Sequence, residues 1–386
     1  MTAFAVGRGS MMPEAAVSGR LSSDGTLKTD LPVVLYRGTA FVASTDRLQA
    51  VDTATGQITA TVEPQGKSVH PADEETNPAL AAPPVLATGH GRTIVITPFV
   101  VQQTGTGTQA DHTAVEVTGT DAATAKVVWR VTVRPPQWDD VYSDLSVAAV
   151  GAEQGVAVVR VSSGSGDHAV SYGIGLDGGS RPLWTVNQFQ AEAVVSGTVV
   201  GTALEDEAGI DQRAAAYALA TGRFRWRGQD STNVGAVPAG PRLVRVFGKD
   251  YGSGHDYDRL VDPASDRTVR TLPEDLSSSG CEYDDRSTLV CSGTGTDAAV
   301  AYGLDATTGK TLWQLPDEKA DRVAPTVTAV WHGRVYGTTD HGPLALDART
   351  GKDLPSPGIA PFLVNESAGL ALDKAGSQLV AYPTSG

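Results

Sequence analysis

The carboxylates of this chain are its most regular candidates for chemistry, and several stand in a recurring Asp-x-x-Thr-Gly sequence. It occurs at Asp52, Asp305 and Asp347 with one spacing. A carboxylate beside a hydroxyl could act as a general acid or base. An Asp side chain also accepts hydrogen bonds from the backbone two residues on, and Gly adopts the positive φ that tight hairpins need. Because a reactive carboxylate is not expected several times over, the pattern favours a structural turn.

The turn belongs to a longer internal repeat. Weaker copies lie at 119–125, 175–179, 216–222 and 260–266, and the last turn positions, 222, 266, 309 and 351, are 42 to 44 residues apart. A period of about 40 to 50 residues with β patterning is typical of propeller blades. Four copies end in a tryptophan: Trp129, Trp184, Trp226 and Trp313. We expect each indole to pack against the neighbouring blade and its N–H to find a backbone acceptor.

Short strands must hold these turns in place. In the first repeat they are predicted at Val33–Arg37, Thr39–Ser44, Arg47–Asp52 and Gln57–Val62, from alternating or continuous apolar residues with Gly, Asp or Thr between them. The sequence predicts an all-β chain, a single β-propeller domain over residues 1–386 made of four-stranded antiparallel blades.

The last repeat, from Pro361 to Tyr382, has only three predicted strands. We expect the N-terminal segment, residues 1–30, to supply the missing outer strand through Thr2–Gly7, which would leave no open sheet edge. The prediction is therefore eight blades closed by the N-terminal strand. Seven blades is the alternative, if the N-terminal strand belongs elsewhere and the last repeat is a cap.

The motif Ala-x-Asp-x-x-Thr-Gly-x-x-x-Trp resembles the tryptophan-docking motif of pyrroloquinoline-quinone-like (quinoprotein-type) β-propellers. The resemblance covers roughly residues 33 to 382. That family includes quinoprotein alcohol dehydrogenases and non-enzymatic bacterial envelope scaffold lipoproteins. Its enzymes typically carry an adjacent-cysteine disulfide over the cofactor and an acidic and amide calcium set. This chain has no Cys-Cys pair and no recognisable calcium set, so the resemblance implies the non-enzymatic branch and no cofactor.

Charge and composition exclude several partners. The chain has 44 acidic and 30 basic residues, a formal net charge of −14, which would repel a nucleic-acid backbone. No apolar run reaches the roughly 20 residues that a membrane helix needs, and the sequence leaves open a signal or membrane tether outside it. Cys281 and Cys291 are predicted to face each other on two adjacent strands of the sixth blade. A disulfide there would indicate an extracytoplasmic protein, secreted or an ectodomain, whereas two reduced buried thiols are the alternative.

The distribution of loops points to a binding side. In a four-stranded blade, the turns between strands one and two and between strands three and four lie on one face of the disc, here named the turn face. The connections between strands two and three, and the links between blades, lie on the other, here named the loop face. Nearly every insertion falls on the loop face: residues 63–84, 102–113, 132–144, 162–170, 204–213, 249–258 and 273–280. Since function concentrates in loops on rigid scaffolds, we expect the loop face to bind a partner.

Two of these loops combine aromatic residues with carboxylates. The candidates for partner binding are Trp138, Asp139, Asp140 and Tyr142 in one loop and Tyr251, His255, Asp256 and Tyr257 in the other. Aromatic anchors ringed by polar groups suit a protein or glycan partner. Substitution of Trp138 or Tyr257 is expected to weaken that partner with little loss of stability. Asp256 and Asp258 could contribute to a calcium site, although the loop lacks EF-hand spacing.

No sequence motif supports catalysis. The seven histidines show no HExxH or paired-ligand spacing, and the chain has no Gly-x-Ser-x-Gly and no Walker-type loop. The sequence therefore favours a non-catalytic extracytoplasmic scaffold that binds proteins or senses ligands. One alternative is a dehydrogenase dependent on pyrroloquinoline quinone and calcium, and another is a polysaccharide-acting enzyme with two carboxyl groups facing each other across the central channel.

Overall fold

The computed structural model describes residues 3–17, 20, 30–69, 81–89, 91–105, 107, 108, 110–136, 138, 145–205, 209–273, 280–294, 299–373 and 375–385. These residues form β-strands, turns and the short 3-10 helices Val6–Arg8, Glu14–Ala16 and Glu318–Ala320. In this part of the chain no helix is long and apolar enough to cross a membrane. The predicted all-β class is confirmed.

The strands follow one another in four-stranded units. Two short strands precede them, β1 (Ala3–Phe4) and β2 (Ser10–Met11). The first unit contains β3 (Val33–Tyr36), β4 (Thr39–Ala43), β5 (Leu48–Asp52) and β6 (Ile58–Val62). The second contains β7 (Lys67–Ser68), β8 (Val85–Gly89), β9 (Arg92–Gln103), β10 (His112–Asp121) and β11 (Val127–Val133). The third contains β12 (Ser146–Glu153), β13 (Val156–Ser162), β14 (Ala169–Gly175) and β15 (Trp184–Asn187).

The later units repeat this order. The fourth contains β16 (Phe189–Val195), β17 (Thr198–Leu204), β18 (Gln212–Ala218) and β19 (Phe224–Arg227). The fifth contains β20 (Ser231–Pro238), β21 (Val244–Asp250), β22 (Asp256–Val261) and β23 (Thr268–Thr271). The sixth contains β24 (Gly280–Tyr283), β25 (Thr288–Thr294), β26 (Ala299–Asp305) and β27 (Thr311–Leu315). The seventh contains β28 (Thr326–Trp331), β29 (Arg334–Thr339), β30 (Gly342–Asp347) and β31 (Asp353–Leu354), and the last contains β32 (Leu363–Val364), β33 (Ala368–Leu372) and β34 (Leu379–Ser385).

From β8 onward in the second unit, and throughout the other units, strands adjacent in sequence pair antiparallel, so each unit is a meander. In the second unit, β7 and β8 share one edge of β9. The fourth and fifth units are joined into one hydrogen-bonded sheet by a single residue pair, Gln212 and Ser231. The first strands of several successive units contact one another, which makes them the innermost strands of the assembly.

The N-terminal segment completes the last unit, as predicted. β1 pairs with the end of β34, Ala3 opposite Ser385, and β2 pairs with its beginning, Met11 opposite Val380. The outer strand is therefore in two pieces, separated by the 3-10 helix Val6–Arg8, where the sequence predicted one strand over Thr2–Gly7. Met12, Ala16 and Val17 then enter a hydrophobic cluster that joins the last unit to the first.

Apolar side chains fill the space between successive units. Each buried hydrophobic cluster spans two neighbouring units, and the cluster of Val33, Val42 and Leu370 closes the circle between the first and the last. β14 and β17 lie inside their units and are buried along their whole length, because neighbouring units cover both faces. The outer strand β6 is mostly exposed. A closed ring of antiparallel four-stranded sheets is a β-propeller.

Candidate functional site

The Asp-x-x-Thr-Gly turns are structural. In the sixth unit, Oδ1 of Asp305 accepts hydrogen bonds from the backbone N–H groups of Thr307 and Thr308, at 3.2 and 3.0 Å, and from the Thr308 hydroxyl at 2.9 Å. Gly309 has φ +68°, which a side chain would strain. These hydrogen bonds, that of the Thr308 side chain foremost, hold the pKa of Asp305 below its usual value. The carboxylate is thus occupied by its own turn.

The four tryptophans lie between units. Trp184 is 7% exposed and donates its indole N–H to the carbonyl of Leu219 in the next unit, at 2.6 Å. A Cβ on Gly173 would lie 2.2 Å from the Trp184 ring, and one on Gly222 of the next unit 2.8 Å from its Cβ, so both glycines make room for the indole. Trp226 and Trp313 donate in the same way, to Pro263 and Ala348.

Trp129 departs from this pattern. Its ring packs against Gly178 of the next unit, but among the described residues its buried indole N–H has no hydrogen-bond partner. The third repeat, against which Trp129 packs, is one residue shorter before its own tryptophan, Trp184. Trp129 therefore contacts the third unit by packing alone, without the hydrogen bond.

The disulfide predicted from the two cysteines is present. Cys281 on β24 and Cys291 on β25 are directly paired residues of adjacent strands, and their sulfur atoms are bonded. Cys291 is fully buried in the cluster between the fifth and sixth units, and Cys281 packs against that cluster. The bond therefore joins the innermost strand of the sixth unit to the next strand.

Three of the predicted partner-binding residues, Asp139, Asp140 and Tyr142, lie outside the described residues. Trp138 of the same loop is described and is half-buried. Its ring stacks on His168, with ring centroids 5.7 Å apart and planes at 12°, and it packs against the cluster between the second and third units. Trp138 therefore supports the loop at 163–168 through its contact with His168, while part of its side chain faces solvent.

The second predicted loop is shorter than the sequence indicated, because β21 runs to Asp250 and β22 starts at Asp256, leaving residues 251–255 as the connection. Tyr251 is 63% exposed. His255 and Asp256 are exposed as well. These three residues stand on the loop face as the sequence predicted.

Tyr257 is a packing residue rather than a free surface anchor. It is half-buried against the cluster between the fourth and fifth units, and its hydroxyl bonds the Ser231 hydroxyl at 3.1 Å. Burial raises the pKa of Tyr257. The expectation that Trp138 and Tyr257 could be replaced at little cost in stability needs correction, since both side chains fill space between elements.

Asp258, the other residue considered for calcium, points into the protein. It is 7% exposed and forms a two-pronged pair with Arg245, which is 2% exposed: Nε to Oδ1 at 2.9 Å and Nη2 to Oδ2 at 2.5 Å. Burial raises the pKa of Asp258, and the Arg245 guanidinium opposes that shift. Asp258 is thus committed to an ion pair beneath the loop face. Among the described residues no group of three His, Cys, Asp or Glu side chains could hold a metal ion.

The described loops of the third, fourth and fifth units support one another. A Cβ on Gly209 would lie 2.8 Å from the Cα of Asp167, so the loop after β17 touches the loop after β13. The backbone N–H of Tyr251 donates to the carbonyl of Asp230 at 3.1 Å, and the carboxylate of Asp230 pairs with Arg213. Ile210, in the loop after β17, is 58% exposed. The loops form a braced surface with apolar side chains on top.

Charge divides sharply between the two faces. In the described connections of the loop face, acidic residues outnumber basic ones fourteen to five. The acidic residues are Glu14, Asp30, Asp46, Glu63, Asp111, Asp167, Glu205, Asp211, Asp230, Asp317, Glu318, Asp321, Asp340 and Asp373. The basic residues are Arg20, Arg47, Arg134, Lys319 and Arg322. The loop face thus carries an excess of negative charge.

The turn face has the opposite balance, six acidic to ten basic residues in its described connections. The acidic residues are Asp177, Asp262, Asp266, Asp284, Asp285 and Glu366. The basic residues are Arg37, Lys126, Arg181, Arg223, Arg242, Arg267, Arg286, Lys310, Arg349 and Lys352. The net charge of −14 is therefore unevenly distributed over the molecule.

Two carboxylates on innermost strands escaped the sequence analysis. Glu192 on β16 accepts the backbone N–H of Ala236 in the next unit at 2.7 Å and the Thr202 hydroxyl at 3.4 Å. Burial raises its pKa to about 7, and Arg160 opposes the shift. The signal available in the sequence was an acidic residue inside an apolar strand, Phe-Gln-Ala-Glu-Ala-Val-Val.

Glu282 on β24 is arranged similarly, since it accepts the backbone N–H of Val330 in the next unit at 3.0 Å. The residue as a whole is exposed, but desolvation of its carboxylate raises its pKa to about 7, and the nearby Asp30 adds to the shift. Both carboxylates bind an amide of the neighbouring innermost strand. This is a structural role that does not by itself require a substrate.

No family model matches the chain, and no curated protein matches it. Solved structures are similar in fold. BamB from Moraxella catarrhalis has 14% identity and a TM-score of 0.49, over 93% of this chain and 95% of that one. A quinohemoprotein alcohol dehydrogenase from Pseudomonas putida has 10% identity and a TM-score of 0.48, over 92% and 75%. The β-propeller domain of the Trilobed protease from Pyrococcus furiosus has 10% identity and a TM-score of 0.44, over 78% and 92%. All three TM-scores lie below 0.5, so the fold rests on the strand pairing described above and these likenesses say nothing of activity or partner.

Proposed function

We propose that the protein is a non-catalytic scaffold of the quinoprotein-like propeller type, with eight blades, that binds a protein partner through its loop face. The blade count is supported by the seven complete units and the last one, to which β1 and β2 add the outer strand. The location is outside the cytoplasm, since structural disulfides persist in oxidising compartments. The Cys281–Cys291 bond supports this.

The observation that carries the proposal is the braced loop surface of the third to fifth units. Ile210 and Tyr251 are large apolar or aromatic side chains that stand more than half exposed on loops held by backbone and ion-pair contacts. Such anchors on a preorganised surface, ringed by polar groups, are the usual centre of a protein interface. An enzyme would instead be expected to gather titratable groups in a cleft.

The experiment is site-specific photo-crosslinking. A photoreactive phenylalanine analogue replaces Tyr251 on the loop face or, as the matched control, Phe224, which is 56% exposed on the outer strand β19. We expect one partner protein to be crosslinked from position 251 and not from position 224. After purification, that partner should bind the unmodified propeller again. Equal crosslinking from both positions, or none from position 251 in cells that express the protein, would overturn the proposal.

The dehydrogenase alternative requires a site for pyrroloquinoline quinone and calcium. The described residues do not fit it, because they offer no three-ligand group and Asp258 is taken by Arg245. Titration with the quinone and calcium, followed by tryptophan fluorescence and dye reduction, is expected to show neither saturation nor turnover. Saturable quenching with turnover would favour the enzyme over the scaffold.

A polysaccharide-acting enzyme is the second candidate, favoured by one observation. Glu192 and Glu282 lie on innermost strands and have pKa values raised to about 7, a property that a general acid needs. Incubation with a panel of polysaccharides and detection of new reducing ends tests it. Cleavage that is lost in both Glu192→Gln and Glu282→Gln would support this function against the scaffold.

A further inference from the structure

The loop face differs from the turn face in charge. Its described connections carry fourteen acidic and five basic residues, against six and ten on the turn face. Large apolar side chains stand exposed in the same connections: Ile210, Tyr251 and Val323, the last at 64%. One side of the disc therefore combines a negative field with apolar contact points.

Local ion pairs engage part of this charge, since Arg213 pairs with Asp230, Arg227 with Glu205 and Arg47 with Asp46. In the described connections of the face, acidic residues outnumber basic ones fourteen to five. Self-repulsion among these carboxylates costs stability, and a positively charged partner would relieve it. The charge is thus better suited to a complex than to the free protein.

The positions of the apolar residues narrow the choice of partner. Small cations would be satisfied by the carboxylates but would leave Ile210 and Tyr251 in water. A partner that carries apolar side chains between basic ones would cover both. Complementary charge would steer its approach and fix its orientation, while the apolar contacts would supply affinity.

We propose that the loop face docks a cationic, amphipathic polypeptide segment, with its apolar side chains on Ile210 and Tyr251 and its Lys or Arg side chains on the surrounding carboxylates. This rests on the proposed function and specifies the partner's chemistry. Asp211 and Asp256 are the exposed carboxylates closest in sequence to the two anchors. Because the interaction is between exposed charges, it weakens as salt shortens the Debye length from about 14 Å at 0.05 M to about 6 Å at 0.3 M.

The test uses a fluorescein-labelled peptide of three Lys-Tyr-Lys-Leu repeats as the probe and fluorescence anisotropy as the readout. Its counterpart of three Glu-Tyr-Glu-Leu repeats controls for apolar binding alone. We expect the cationic peptide to bind about tenfold or more tightly than the acidic one, and its Kd to rise several-fold between 0.05 and 0.3 M NaCl.

Charge reversal on the protein then locates the site. The double variant Asp211→Lys with Asp256→Lys should raise the Kd of the cationic peptide about tenfold or more, and Ile210→Ser with Tyr251→Ser should raise it at unchanged salt dependence. The matched control is Asp177→Lys with Glu366→Lys, two exposed carboxylates of the turn face. Equal weakening by the control would overturn the proposal, because the attraction would then follow net charge and not the loop face.

The failure of this inference is distinguishable from that of the proposed function. If the protein crosslinked from position 251 binds with salt-independent affinity, or if a neutral glycan binds there instead, the cationic-partner proposal is overturned. In the first case the scaffold function stands. If position 251 crosslinks nothing and neither peptide binds, both proposals fail.

Discussion

The two faces of the propeller are built in different ways. On the turn face, the same short turn recurs with an Asp that accepts its own backbone amides, as at Asp52 and Asp305, and these hydrogen bonds lie within one hairpin. On the loop face, each connection has its own length and depends on neighbours, as when Tyr251 donates to Asp230. Local hydrogen bonds make a turn repeatable, whereas a surface held by contacts between loops can vary without harming the ring.

The depth of a residue matters as much as the face on which it lies. Asp256 and Asp258 are two residues apart on β22, yet the first is exposed and the second is buried against Arg245. Trp138 and Tyr257, singled out as binding residues, turned out to be half-buried. Partner binding on the loop face is therefore assigned to its exposed residues, which lie above a layer of buried residues. Substitutions distinguish the two layers by their effects on stability and on binding.

The largest expected effect comes from that lower layer. Asp258→Ala removes one partner of a buried ion pair and should lower the free energy of unfolding by about 3–5 kcal/mol, since it breaks the two-pronged contact with the buried Arg245 guanidinium. Asp256→Ala, at the exposed neighbouring position, should change it by less than about 0.5 kcal/mol. Urea unfolding of both variants measures the difference. Equal losses would show that the two depths are not distinct.

A second prediction concerns the innermost strands. The folded-state pKa of Glu192, about 7, lies above the unfolded value of about 4.3. The folded protein therefore binds more protons between these values, so this group's stabilisation is fully present below about pH 4 and is lost as pH rises to about 7. The loss is at most about 4 kcal/mol.

Glu192→Gln removes that titration and keeps an oxygen to accept the Ala236 amide. Compared with the wild type, the variant should be more stable at pH 8 and should lose less stability between pH 5 and 8, as measured by urea unfolding at each pH. Glu366→Gln, an exposed carboxylate on the turn face, serves as the control and should follow the wild-type curve. Parallel curves for all three proteins would contradict the assigned pKa.

A third, smaller effect compares equivalent tryptophans. Trp184→Phe loses the hydrogen bond to the Leu219 carbonyl and part of the indole volume, whereas Trp129→Phe loses volume alone, since its N–H has no partner among the described residues. The first should be about 1 kcal/mol more destabilising. The measurement is the difference between their thermal unfolding midpoints, and an equal drop would argue that packing decides both sites.

The smallest effect is expected at the top of the loop face. Tyr251→Ser should alter the free energy of unfolding by less than about 0.5 kcal/mol while it weakens the binding of the crosslinked partner. Tyr257→Ser should cost clearly more, because it empties space between the fourth and fifth units and breaks the bond to Ser231. Unfolding curves and partner affinity are measured on the same samples, and a marked loss of stability in Tyr251→Ser would remove it from the binding layer.

Much of the fold was predictable from the sequence. The strands of the first unit were predicted to within one residue at each end, because alternation and turn residues are local signals. The facing of Cys281 and Cys291 followed from the single hairpin between them. The extension of β21 and β22 into the loop at 249–258 was missed, since the pairing of Lys249 with Asp256 depends on register across strands.

The sequence by itself determined the repeat, the turn chemistry and the number of strands per unit, because these depend on residues within one hairpin of each other. Only the tertiary structure decided which carboxylates are buried and which remain on the surface. Glu192 meets Ala236, Asp258 meets Arg245, and Asp256, two residues away, meets solvent. Burial is set by contacts between strands and units, and a repeated local pattern holds no information about which of its copies will be covered.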